Sequence, residues 1–218
     1  MNVYVVTEGV VEKKVYREWI PLVNQQLVQV SDIDEVKSNN FFLVSAGGYP
    51  SYFRVINDAI DDVNNYAAFD RLVVSIDSED MTRDEKLAEV EAFIAAKACR
   101  ATVIVVVQHF CFESWALGNR LVVRPNTQST QLKRFRRIHD VRAKDPELLP
   151  RLDEDGLTRS QFAERYLRVA LNDRFRNLTY SKRNPTALLH WKYLAQLQLR
   201  LSQTGHIPSF GDFLAAFA

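Results

Sequence analysis

The chain has 218 residues, room for one sizeable domain or for one domain with a helical appendage. Its apolar share is ordinary for a folded globular protein, its few Gly and Pro argue against disorder, and no apolar run approaches the roughly 20 residues that span a bilayer. The net charge of +1 conceals an asymmetry: residues 1–119 hold 10 Lys and Arg against 18 Asp and Glu, whereas residues 120–218 hold 18 against 9. Such a division suits a protein that holds a cation with carboxylates and phosphates with guanidinium groups. It equally suits two parts that dock through opposite charge. The opening Met1-Asn2-Val3-Tyr4-Val5-Val6 reads as a strand and lacks the basic flank of a signal peptide, so a cytoplasmic setting is expected. Cys99 and Cys111 are too few for a disulfide framework or a zinc knuckle and are expected as buried free thiols.

Strand-like and helix-like segments alternate from the start. Residues 3–7 form a first strand. Residues 12–27 then carry Val15, Trp19, Leu22, Val23 and Leu27 at helical spacing, with Pro21 as a kink. Residues 41–45 are a second strand closed by Gly47-Gly48, and Tyr52, Val55, Ile56, Ala59, Ile60 and Val63 mark a second helix. A third strand over 72–76 runs into Asp77-Ser78-Glu79-Asp80, and a helix over 83–97 and a fourth strand over 102–107 follow. Unbroken apolar strands indicate a sheet buried on both faces, and the strand–helix rhythm makes it parallel. The expected fold is α/β over residues 1–119: a four-stranded, mainly parallel sheet with helices on both faces.

Residues 120–218 read as a basic, mostly helical C-terminal extension packed on that domain. Leu121-Val122-Val123 is a short strand or a helix end, and 124–156 is a loop with short helices around Pro125, Pro146 and Pro150. A helix starts near Thr158 or Ser160, either of which can cap it, with Phe162, Tyr166, Leu167 and Ala170 on one face. A second helix spans 188–201, and residues 209–214 dock the C-terminus. Trp19, Trp115 and Trp191 are expected in the core. His109, His139, His190 and His206, no two at ligand spacing, are expected in structural roles.

Two constellations carry chemistry. Thr7-Glu8-Gly9-Val10-Val11-Glu12 stands at the junction of the first strand and helix. A carboxylate at the end of a parallel strand projects into the crevice where ligands bind. Glu12, four residues on, shares a cation with Glu8 or simply complements the helix dipole. The second constellation is Ile76-Asp77-Ser78-Glu79-Asp80. Residues two apart in an extended segment point the same way, so Asp77 and Glu79 converge on one metal, and Mg²⁺ suits such hard oxygen ligands. The same acids also read as a helix N-terminus capped by Asp80 or Thr82. Farther on, Lys133-Arg134-Phe135-Arg136-Arg137, with Arg165, Arg168 and Arg176 near it, interleaves cations with an aromatic as nucleic-acid grooves do. Salt bridges between the two halves are the other reading.

A Glu-Gly at the first strand end and an Asp-x-Asp-like pair at the third, in a four-stranded α/β unit, resemble the Toprim domain of topoisomerases, primases, recombination nucleases and anti-phage nucleases. The form Glu8-Gly9-Val10-Val11-Glu12 is most similar to the overcoming-lysogenization-defect class and its small stand-alone relatives. Phe112-Glu113-Ser114-Trp115-Ala116-Leu117 resembles the Phe-Glu-x-Trp-Leu-Leu stretch of the RloB-like family. One departure matters: Asp77-x-Glu79 stands in place of Asp-x-Asp, which leaves Glu79 or Asp80 as the second ligand.

The resemblance implies a nuclease dependent on Mg²⁺ (or Mn²⁺) that cleaves DNA or RNA as the effector of a bacterial anti-phage system. Glu8 would be a metal ligand or general base, Asp77 and Glu79 would bind the metal, and two metals would activate water and stabilise the leaving oxygen. Glu113 joins that cluster or serves as a cap or salt-bridge partner. Relatives use a lysine to neutralise the scissile phosphate; Lys182, in Tyr180-Ser181-Lys182-Arg183-Asn184, fits it best, a solvated charge run being the alternative. Arg183 then joins Lys133, Arg134, Arg136 and Arg137 as nucleic-acid contacts. With no Walker A loop in the sequence, an ATP-driven sensor would be a separate ATPase subunit. The competing expectation is a catalytically silent Toprim-fold module docking to a partner ATPase. A phosphotransferase with an aspartyl intermediate fits poorly, because the first strand ends in Glu8.

Overall fold

A computed structural model of the chain describes residues 1–48, 50–175 and 178–218. Five strands, β1 (Val3–Thr7), β2 (Val28–Val30), β3 (Asn40–Ser45), β4 (Arg71–Asp77) and β5 (Thr102–Gln108), form one all-parallel sheet in the order β2-β3-β1-β4-β5. Helices α1 (Val10–Val23), α2 (Ser51–Tyr66) and α3 (Arg83–Ala95) alternate with them. Then follow α4 (Phe112–Ala116), α5 (Thr130–Ile138), α6 (Arg159–Arg174), α7 (Trp191–Thr204) and α8 (Pro208–Phe217). The α/β reading holds, but the sheet has five strands rather than four. The additional strand, β2, has three residues on an edge, with Val28 largely exposed, too short for a hydrophobic pattern to register.

The chain divides into two compact units, Met1–Ile76 with Thr82–Val107 and Asp212–Ala218, and Asp77–Met81 with Gln108–Gly211. The boundary expected after residue 119 therefore falls inside the second unit, and the chain changes unit at the ends of β4 and β5.

In the first unit, alternation along the strands sends Tyr4, Val6, Leu72, Val74 and Ile76 into one core with Ile56, Ile60 and Val63 of α2 and Val90 and Ile94 of α3. Val3, Val5 and Val73 on the alternate positions are fully buried as well. There Tyr16 of α1 shares a 2.7 Å hydrogen bond with Ser75, and Phe213 packs against the rings of Tyr16 and Trp19 at 4.6 and 6.2 Å. Helices thus cover both faces, which is why the strands are apolar without interruption. The C-terminal residues belong to this packing. Arg71 donates to the carbonyls of Ala216 and Ala218, Asn24 to that of Phe217, and Arg83 pairs with Asp212.

The second unit is helical. Leu121 and Val122 lie in a 3-10 turn (Arg120–Val122), not a strand. Thr158 starts α6 with a capping box shared with Gln161, and Phe135, Phe162 and Tyr166 stack edge to face or tilted at its centre. Trp19 and Trp115 are core residues, whereas Trp191 is 56 % exposed. It opens α7, and the buried face of that helix runs through Tyr193, Leu194, Leu197 and Arg200, leaving Trp191 off it. Two polar hubs tie loops to helices. Arg200 donates to the carbonyls of Arg142 and Lys144 and to His206 Nδ1. Ser209 Oγ accepts from Trp115 Nε1 and donates to Glu147, both at 2.6 Å.

Phe213→Ala tests whether the C-terminal residues are part of the first core. Removing this fully buried ring should destabilise the protein by about 3–5 kcal/mol, read from the urea midpoint. A loss under about 1 kcal/mol would show that the segment is dispensable.

Candidate functional site

In an open parallel sheet the ligand crevice lies beyond the carboxyl ends of the strands, where the direction of winding reverses. Here the reversal falls between β1 and β4. Glu8 follows β1, its N–H donating to Ser75 O and its carbonyl accepting from Gly48 N, both at 3.0 Å. Gly48 holds that turn at φ 93°, which an L side chain would resist. The Glu12 carboxylate folds back over Gly9, its Oε2 only 2.6 Å from where a Cβ on Gly9 would stand. Glu12 is itself buried.

The first unit also contains a polar cluster that sequence reading overlooked. Lys86 is buried, donates to Glu89 at 2.6 Å, and lies 5.8 Å from the centre of the Tyr52 ring. Burial pulls the Lys86 ammonium down, but Glu89 and Tyr52 outweigh it and the group stands above the ordinary lysine range. Burial raises the Tyr52 hydroxyl, Lys86 opposes, and the charges of Glu89 and Glu8 add to the rise. The signal was available in the sequence. Lys86 shares the inward i, i+4, i+8 stripe of α3 with Val90 and Ile94.

In the second unit, Asp77 closes β4 and is 8 % exposed. Extended geometry stops there: Ser78 N–H donates to Gln108 O, Glu79 N–H to Phe110 O, and Glu79 has a left-handed φ of 53°. The argument that Asp77 and Glu79 point the same way along one extended segment therefore does not apply. Glu79 accepts from Ser160 Oγ at 3.2 Å, and Asp80 pairs with Arg151 at 3.3 Å. The cap of α3 is Thr82, in a capping box with Glu85, so the helix-cap reading attaches to neither Asp77, Glu79 nor Asp80.

Glu113, on α4, is 2 % exposed and accepts a 2.7 Å hydrogen bond from the buried Tyr180 hydroxyl. Cys111, not Glu113, occupies the N-cap position of α4. Glu113 holds the Lys182 ammonium above the usual lysine range; partial desolvation opposes this and Asp77 reinforces it. Burial pushes the Cys111 thiol up, with Glu113 and Asp77 adding to the effect. Asp77, Cys111, Glu113, Tyr180 and Lys182 therefore share one electrostatic neighbourhood. Tyr180 is its unforeseen member, and only its position two residues before Lys182 marks it in the sequence. Two buried carboxylates suit magnesium, which takes one or two carboxylates and keeps most of its waters. Among the described residues no group of three or more His, Cys, Asp or Glu is arranged to hold a metal, so Glu8, Glu12, Asp77, Glu79 and Asp80 do not form one.

The basic run is largely committed to ion pairs inside the second unit. Arg134 reaches Asp155 at 2.9 Å and Glu154 at 3.3 Å, and Arg165 approaches Asp155 at 3.8 Å. Arg136 pairs with Asp140 and donates to the carbonyls of Arg124 and Pro125. Phe135 is core. Lys133, Arg137, Arg168 and Arg183 stay exposed, and Arg176 lies outside the described residues. Comparison with family models, with curated proteins and with solved structures finds no match to this chain.

These partners predict which cations a nucleic acid would meet. The double variant K133A/R137A should lower the slope of log affinity against log salt by about two. R134A/R136A should leave the slope unchanged and instead lower the urea midpoint. Equal slopes for the two double variants would show that the paired arginines face the ligand after all.

Proposed function

We propose that this chain is a Mg²⁺-dependent nuclease of Toprim type that cleaves phosphodiester bonds of DNA or RNA, acting as the effector of a bacterial anti-phage system. The reading rests on one observation above the rest: Tyr180, two residues before Lys182, donates a 2.7 Å hydrogen bond to the buried Glu113, whose charge, with that of the buried Asp77, raises the Lys182 ammonium. A cation beside buried acids is the composition that phosphoryl chemistry requires. Asp77 and Glu113 would hold Mg²⁺ through carboxylate oxygens. The metal supplies Lewis-acid polarisation and a more acidic bound water. Lys182 takes a non-bridging phosphate oxygen and neutralises charge that grows there as the bond breaks. Tyr180 fixes the orientation of the Glu113 carboxylate. The Glu8-Gly9-Val10-Val11-Glu12 motif supports the reading through its resemblance to Toprim nucleases, which implies a ligand or general base at Glu8. With no Walker A loop in the sequence, an ATP-driven sensor would be a separate chain.

The test is cleavage of plasmid, single-stranded DNA and tRNA in Mg²⁺ or Mn²⁺ against a chelator control. E8Q, D77N and E113Q should each fold and lose roughly 100-fold or more of the rate, and K182R should retain more activity than K182A. Full activity in D77N and E113Q would overturn the assignment. A folded wild-type chain that cleaves none of the three substrates would favour a silent module that docks to a partner ATPase.

A further inference from the structure

A cavity of about 480 Å³ opens in the second unit between the 3-10 turn at Arg120–Val122, the end of α6 and the start of α7. The nuclease reading above makes no use of it. Its volume lies within the range of small-ligand sites. Leu121, Phe175 and Trp191 line it and are 56, 44 and 56 % exposed, an unusual amount of apolar surface to leave in water at one place. Each of the two rings has a cation beside it: the guanidinium of Arg174 lies 5.8 Å from the centre of Phe175, and Lys192 Nζ lies 5.6 Å from that of Trp191. His190 stacks on Trp191 at 30°. Among the described residues that line the cavity there is no acidic side chain.

We infer that this cavity binds a nucleoside phosphate, with the base against Trp191 and Phe175 and the phosphate against Arg174 and Lys192. The two cations, with no acid among the described lining residues, favour an anionic ligand, and the flat exposed rings favour an aromatic one. A nucleotide, free or within a single strand, joins an aromatic face to negative charge, and single-strand sites combine stacking rings with cations in this way. Duplex bases are already stacked on each other and offer no face to Trp191. Leu178 and Ala187, both lining the cavity, bracket the segment that carries Tyr180 and Lys182. An occupant of the cavity therefore touches both ends of the loop that presents Lys182. A role in holding the substrate of cleavage rests on the nuclease reading, but binding itself does not.

The experiment is fluorescence anisotropy of a fluorescein-labelled single-stranded 12-mer, DNA and RNA in parallel, with the full chain in EDTA so that no cleavage intervenes. W191A should weaken binding about 10-fold, W191F should restore most of it, and K192A should lower the salt slope by about one. Trp191 is exposed, so W191A should melt within a few degrees of wild type, which separates lost binding from lost folding. Displacement of the oligonucleotide by millimolar AMP or UMP, abolished in W191A, assigns the site to free nucleotides; binding of the 12-mer that resists them assigns it to a strand. Absence of binding by oligonucleotide and mononucleotide alike overturns the proposal, as does unchanged affinity in W191A. Failure of cleavage in Mg²⁺ with binding intact would overturn the nuclease reading and leave this one standing.

Discussion

Three carboxylates of the second unit, Asp77, Glu113 and Glu147, lie almost wholly out of water, and so does the guanidinium of Arg200. An ionised group in such a place is tolerated only where donors or opposite charges are aimed at it. The helices of this unit are joined by long irregular segments, and these buried charges are what give the segments fixed positions. Glu147 draws in Ser209, which holds the indole of Trp115. Arg200 draws in the carbonyls at 142 and 144 and the imidazole of His206. Glu113 draws in Tyr180, and with it the loop that carries Lys182. Removing either member of such a pair would strand the other in an apolar setting, which costs far more than the pair itself contributes.

That constraint separates structural acids from the group we assign to chemistry. In the Glu147 network the carboxylate accepts from Ser209, whose hydroxyl in turn accepts from the indole of Trp115. The neighbourhood of Asp77 and Glu113 is different, because its cation, Lys182, is an exposed side chain. Lysine presents a point charge on a mobile stem, suited to meeting a phosphate and to giving way to a metal. Burial, with the same acids adding to it, pushes the Cys111 thiol up and makes it a poor nucleophile. For this cluster we propose metal and phosphate binding.

Much of the fold was legible because a doubly covered parallel sheet writes itself as unbroken β-branched runs, and the 3–7, 72–76 and 102–107 segments all fall within strands. The edge strand β2 was hidden by its three-residue length. The interleaved division of the chain was hidden for another reason. It depends on which side chains meet across long sequence separations, as Phe213 meets Tyr16, and composition carries no trace of that. In the candidate site, Asp77 and Glu113 could be singled out by their positions beside strand ends. The orientation of Glu79 could not, because Glu79 itself takes a left-handed φ two residues after Asp77. The run around Arg134 looked like a nucleic-acid surface because sequence shows the cations but not Asp155 and Asp140, which hold them. Trp191 looked like core because tryptophan usually is; only the register of α7 puts it in water.

The central claim is that Asp77 and Glu113 form a divalent-cation site in the folded chain. Isothermal titration of Mg²⁺ and Mn²⁺ into wild type, D77N and E113Q measures it without reference to any substrate. The account predicts saturable binding to wild type, weakened at least about 10-fold in each variant with the protein still folded. Folded wild type that takes up neither metal at millimolar concentration, or variants that bind as wild type does, would contradict it.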